Sequence, residues 1–130
     1  LKSVASGGEL SRIMLVLKKL LREKAGVNVL VFDEVDTGVS GGVARAIGQK
    51  LRALAKDSQV ICITHLPQVA SLADRHLLVT KESKSERVLT SLKLLDDNER
   101  IEEIVRMLSG KTVTEKARES ARELVEKVYE

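Results

Sequence analysis

The run Val27-Asn28-Val29-Leu30-Val31-Phe32 constrains the fold more than any other part of the chain. It is rich in β-branched residues, apolar on both faces, and stops at two acids, Asp33 and Glu34. A strand with this pattern is covered on both sides, which is the situation of a central strand in a parallel sheet. The segment Thr37-Gly38-Val39-Ser40-Gly41-Gly42 is turn-forming. After it, Val43, Ile47, Leu51 and Leu54 recur at three- and four-residue spacing and predict an amphipathic helix, with Ser40 as a candidate cap. A second apolar run, Gln59 to Thr64, predicts a second buried strand. Strand, helix and strand of these lengths make a right-handed βαβ unit. Asp33-Glu34 and Thr64-His65 are therefore expected together at the C-terminal edge of the sheet, where open α/β sheets bind ligands.

The rest of the chain fits around that unit. Leu10, Ile13, Met14, Leu17, Leu20 and Leu21 form an apolar stripe that predicts a helix over residues 9–25. Pro67 opens a short helix carrying Val69, Ala70 and Leu72. His76–Lys81 and Arg87–Leu94 read as an antiparallel pair, and two helices follow. The first is marked by Ile101, Ile104, Val105 and Leu108 and ends at Gly110; the second is marked by Ala117, Ala121, Leu124 and Val128. The fold class is α/β, a parallel-sheet lobe with a β-hairpin and two C-terminal helices, and 130 residues suffice for one such unit.

Composition narrows the function classes. With 22 basic against 19 acidic residues the net charge is +3, a solvated surface and not the footprint of a nucleic-acid binder. One Phe and one Tyr leave no stacking platform for single strands. Cys62, inside Val60-Ile61-Cys62-Ile63, is expected to be a buried thiol in a reducing compartment. No run approaches the roughly 18 apolar residues of a membrane span, so a soluble intracellular protein with no membrane partner is expected.

Four local patterns carry chemistry, each with an ordinary structural alternative. Asp33-Glu34 at the end of a buried strand suits one carboxylate holding Mg2+ through water and a second deprotonating an attacking water, or it is a solvated acidic turn. Ser6-Gly7-Gly8-Glu9 at a helix start offers free N–H groups to an anion, or it is a simple cap. His65, directly after the second strand, can hydrogen-bond a phosphate oxygen or be merely exposed. Asp36 with Thr37 and Gly38 can bridge to a partner subunit or form a plain turn.

In order and spacing these patterns resemble the ABC-type ATPase family. Ala5-Ser6-Gly7-Gly8-Glu9-Leu10-Ser11-Arg12 looks like the signature motif, and Val29-Leu30-Val31-Phe32-Asp33-Glu34 looks like Walker B. Val35-Asp36-Thr37-Gly38 looks like the D-loop, and Thr64-His65-Leu66-Pro67-Gln68-Val69-Ala70 like the switch-histidine loop. The run from Asp33 to Gly42, the switch loop and Glu102-Glu103-Ile104-Val105-Arg106-Met107-Leu108-Ser109-Gly110 are similar to the SMC-like RecN family in particular.

The resemblance implies the C-terminal lobe of an ABC/SMC-type P-loop ATPase head acting in DNA double-strand break repair, with ATP and Mg2+ as ligands. By it, Asp33 binds Mg2+ through water, Glu34 polarises the attacking water and His65 contacts the γ-phosphate. Ser6, Gly7, Gly8 and Glu9 serve nucleotide held by a second head, and Asp36 sits at that interface. The implied partners are an N-terminal lobe of the same head, a second head in a homodimer across ATP, and DNA through the full-length protein. The implied location is the bacterial cytoplasm, at the nucleoid. No Gly-x-x-x-x-Gly-Lys-Ser/Thr sequence occurs in the chain, so it is expected to be a piece of a longer protein, inactive alone, with an apolar flank of residues 28–33 left for the other lobe. The alternative implied is the head lobe of another SMC-type ABC ATPase.

Overall fold

The computed structural model of the chain describes residues 16, 28–33, 36, 38–39, 41–84, 87–110 and 112–126. It divides into two compact units, Leu1–Leu72 and Ala73–Glu130. The helix expected over residues 9–25 lies outside the described residues except for Val16, which is helical and exposed.

In the first unit, strand β1 (Val29–Asp33) pairs in parallel with β2 (Gln59–Ile63), Val29 opposite Gln59 and Asp33 opposite Ile63. Helix α1 (Gly41–Ala55) makes the crossover that parallel pairing requires. Alternation along β1 sends Leu30 and Phe32 to one face, where they form a core with Ala44, Ile47, Leu51 and Leu54 of α1 and Val69. Val69 belongs to the short helix α2 (Pro67–Ala70). The α1 stripe is the one the spacing predicts. Gly48 is what lets α2 approach: a Cβ there would lie 2.6 Å from Leu72 Cδ1 and 3.3 Å from the Val69 backbone.

Two expectations change in detail. The second strand ends at Ile63 and not Thr64, because Thr64 leaves the ladder to bond elsewhere. Cys62 is half-buried rather than fully buried: it lies opposite Phe32 on the covered face and packs against the core without being enclosed by it. The open face carries Val29, Val31, Ile61 and Ile63, each between 44% and 53% exposed. The β1 pattern, apolar on both faces, is thus covered on one only.

In the second unit, β3 (Leu77–Lys84) and β4 (Arg87–Leu94) form an antiparallel hairpin, with Leu77 opposite Leu94 and Val79 opposite Leu92. The first strand runs three residues past its expected end at Lys81. The polar residues Glu82 and Ser83 still pair through their backbones with Leu89 and Val88, and a ladder needs no apolar side chains.

Helix α3 (Asp97–Ser109) packs on α4 (Glu115–Glu126) through Ile104, Val105, Ala117 and Ala121. It starts at a capping box: Glu99 N–H donates to Asp96 Oδ1 at 2.8 Å and Asp96 N–H donates to Glu99 Oε2 at 3.3 Å. Its last turn ends at Gly110, whose φ of 64° is the left-handed conformation a glycine adopts freely. Arg118 bonds Glu102 between the two helices.

His76, just before β3, is half-buried beside Arg100 and Glu103. Burial, then the Arg100 cation, push its pKa below the ordinary value, and its Nδ1 has no hydrogen-bond partner among the described residues. Arg100 in turn donates from Nη2 to the Ala73 carbonyl at 2.5 Å.

Two predictions follow from these packings. Phe32→Ala removes a fully buried ring and should cost about 3–5 kcal/mol in denaturant unfolding. The lowered His76 pKa means that below about pH 6.5 the unfolded chain binds a proton that the folded chain refuses. Stability therefore falls as pH drops from there toward the folded pKa, and His76→Gln should flatten that part of a melting-temperature profile relative to the unsubstituted chain.

Candidate functional site

Parallel pairing brings the C-terminal ends of β1 and β2 to one edge of the first unit. Asp33 closes β1 with its side chain exposed, directly opposite Ile63. Beyond Asp33 the chain turns: the Asp36 carbonyl accepts from Val39 N–H at 3.2 Å, with Gly38 at φ 73°. That positive φ is why a glycine stands there. The turn folds the Asp36 side chain inward, and it is fully buried.

Buried carboxylates need partners, and β2 supplies one. The Thr64 hydroxyl, one residue past the end of β2, donates a short hydrogen bond to Asp36 Oδ2. Thr64 Oγ1 in turn accepts from Leu66 N–H at 3.0 Å, so Thr64 ties the loop after β1 to its own loop. The Leu66 carbonyl accepts from Val69 and Ala70 N–H at 3.1 and 3.0 Å and starts α2, where Pro67 has no N–H to leave unpaired. Between these anchors sits His65, its side chain 68% exposed and its Nδ1 3.9 Å from Asp36 Oδ1.

Of the residues expected to form a site, Asp33, Asp36 and His65 share this edge. Ser6, Gly7, Gly8, Glu9 and Glu34 lie outside the described residues. Asp36 differs from its expected setting at a subunit interface in one respect: its carboxylate is turned into its own unit and bonded there. Thr64 is not among the residues to which the sequence patterns assign a role. Its signal was present in its place, a hydroxyl at the first position after an apolar strand, level with an acid just past the neighbouring strand.

The donor set fits a magnesium-bound phosphate. An exposed carboxylate at a strand end is a hard oxygen ligand, and an exposed imidazole at the same edge can bond a phosphate oxygen. Among the described residues no group of three or more His, Cys, Asp or Glu gathers into a metal cage. A lone Asp still suffices for Mg2+, which keeps waters and phosphate oxygens as its other ligands. Nor is any helix of the described residues long and apolar enough to cross a membrane.

No protein-family model matches the chain. Curated relatives do: the DNA repair protein RecN of Halalkalibacterium halodurans is 52% identical over 126 residues, which is 97% of this chain and 22% of that protein. RecN of Bacillus subtilis is 50% identical over 125 residues, covering 96% and 22%, and RecN of Treponema pallidum is 45% identical over 125 residues. The chain spans about a fifth of the length of the curated relatives it matches. Among solved structures, a chain from the structural biochemistry of ATP-driven dimerization and DNA-stimulated activation of SMC ATPases superposes with a TM-score of 0.62 at 16% identity. The match covers 82% of this chain and 64% of that one, and at such identity the likeness is one of fold.

The Thr64–Asp36 bond yields a stability prediction. Thr64→Val keeps the shape but strands a buried carboxylate oxygen, and should cost about 1–3 kcal/mol in denaturant unfolding. Thr64→Ser, which keeps the hydroxyl, should cost clearly less.

Proposed function

We propose that the chain is a RecN-like C-terminal head lobe, the C-terminal lobe of the ATP-binding head of a bacterial DNA-repair ATPase, carrying half of an ATP site; its identity of 50–52% to RecN proteins over nearly its whole length supports this reading. The observation that carries this reading is the meeting of Asp33, Asp36, Thr64 and His65 at the C-terminal edge of one parallel strand pair. Four residues drawn from two strand ends nearly thirty positions apart are brought to the place where α/β sheets bind phosphates.

In this reading Asp33 would hold Mg2+ through water, which would supply charge neutralisation at the phosphate oxygens. Glu34, the next residue, takes a proton from the attacking water as its oxygen bonds to the γ-phosphorus and the bond to the leaving ADP oxygen breaks. His65 bonds a γ-phosphate oxygen. Ser6, Gly7 and Gly8, which the sequence pattern alone assigns to a helix start, offer their donors to nucleotide held by a second head. Hydrolysis then requires two heads, each completed by an N-terminal lobe that supplies the phosphate cradle, and DNA acts through the full-length protein. The protein works in the bacterial cytoplasm at the nucleoid. Identities of 43–52% to RecN, against 16% to the SMC ATPase chain, favour a RecN head over another SMC-type head.

The test is ATP hydrolysis by this lobe mixed with its N-terminal lobe, each also assayed alone. Activity is expected only in the mixture, and Glu34→Gln should lower kcat by about 10²–10⁴-fold while ATP still binds. Normal turnover by the Glu34→Gln mixture would remove Glu34 from the role of base.

A further inference from the structure

The buried carboxylate of Asp36 is only half satisfied. Oδ2 accepts from Thr64, whereas Oδ1 is buried with no hydrogen-bond partner among the described residues. A buried unpaired acceptor is destabilising, and one on a carboxylate more so. His65 Nδ1 stands 3.9 Å from that oxygen, about 1 Å beyond a normal N–H···O bond. The obstacle to closing the gap is small, because the His65 side chain is 68% exposed and its ring can turn. Asp36 itself cannot turn away, since Thr64 holds its other oxygen and Leu66 N–H holds Thr64 in place.

We propose that Asp36 and Thr64 are positioning residues for His65: Thr64 clamps one oxygen of the buried Asp36 carboxylate so that the other receives the Nδ1–H of His65 and selects that tautomer. Acting through the histidine, the pair needs no contact with substrate. This is the arrangement by which a carboxylate fixes the ring orientation and tautomer of a functional imidazole, with the hydrogen bond at one nitrogen deciding what the other can do.

The consequence for chemistry is definite. With Nδ1–H given to Asp36, a neutral His65 presents Nε2 as an acceptor, and it can donate to a phosphate oxygen only after Nε2 takes up a second proton. The nitrogen that faces a terminal phosphate at this edge is thereby Nε2. The positioning claim itself stands on the Asp36–Thr64–His65 geometry, while this consequence rests on the nucleotide reading above.

The test begins with nitrogen-15 ring spectra of the chain, free of nucleotide. It contains two histidines, His65 and His76, which fall in different units, so His76 serves as an internal control. The neutral His65 ring should show a protonated Nδ1 and a bare Nε2. Asp36→Asn is isosteric and leaves a single acceptor oxygen for which Thr64 and His65 compete, so the His65 signals should move toward the Nε2–H tautomer while those of His76 stay put. Thr64→Val should shift them likewise and Thr64→Ser should restore them. An Nε2–H tautomer in the unsubstituted chain overturns the proposal, and that outcome requires no variant to fold. So does an unchanged His65 spectrum in a folded Asp36→Asn protein.

In the complete head, Thr64→Val should lower kcat by about 10–100-fold with little change in KM, with Thr64→Ser rescuing. If the complete head hydrolyses no ATP while the Nδ1–H tautomer is present, the nucleotide reading fails and the positioning pair stands.

Discussion

The parallel pairing of β1 with β2 is the constraint on which the site depends. Its register sets Asp33 opposite Ile63, and the residues just past each strand, Asp36 on one side and Thr64 and His65 on the other, consequently meet. That register is itself held by packing. A slip of one residue would turn Leu30 and Phe32 away from Ile47 and Leu51 on the crossover helix and into the open face. The burial of one phenylalanine and the position of an exposed histidine are in this sense parts of the same arrangement.

The other face of the strand pair is less settled chemically. Val29, Val31, Ile61 and Ile63 form a contiguous apolar surface on neighbouring strands, each about half exposed. The chain spans about a fifth of the length of the RecN relatives it matches. The proposal that an N-terminal lobe completes the head gives this surface its purpose, and agrees with a β1 sequence written as though both faces were buried.

Much of this was legible in the residues. The period of Val43, Ile47, Leu51 and Leu54 marks α1, and the β-branched runs mark both strands, because burial on a regular element leaves a regular trace. The common edge for Asp33 and His65 followed from the rule that parallel strands share a direction. What could not be read was the side-chain bond between Thr64 and Asp36, a contact across 28 positions that leaves no periodic trace. Nor could the half-burial of Cys62, since a sequence does not say how completely the core encloses a residue of the covered face. The hairpin was underestimated for the opposite reason: Glu82 and Ser83 are polar, yet their backbones pair as well as any.

The central claim is that this strand edge receives the terminal phosphate of ATP with its magnesium. The most direct measurement is a crystal structure of the complete head, both lobes present, with Mg2+ and a non-hydrolysable ATP analogue. The Asp33 carboxylate is expected against the metal's water shell and the His65 ring within hydrogen-bond distance of the γ-phosphate. Nucleotide bound with Asp33 and His65 both remote from its phosphates would contradict it.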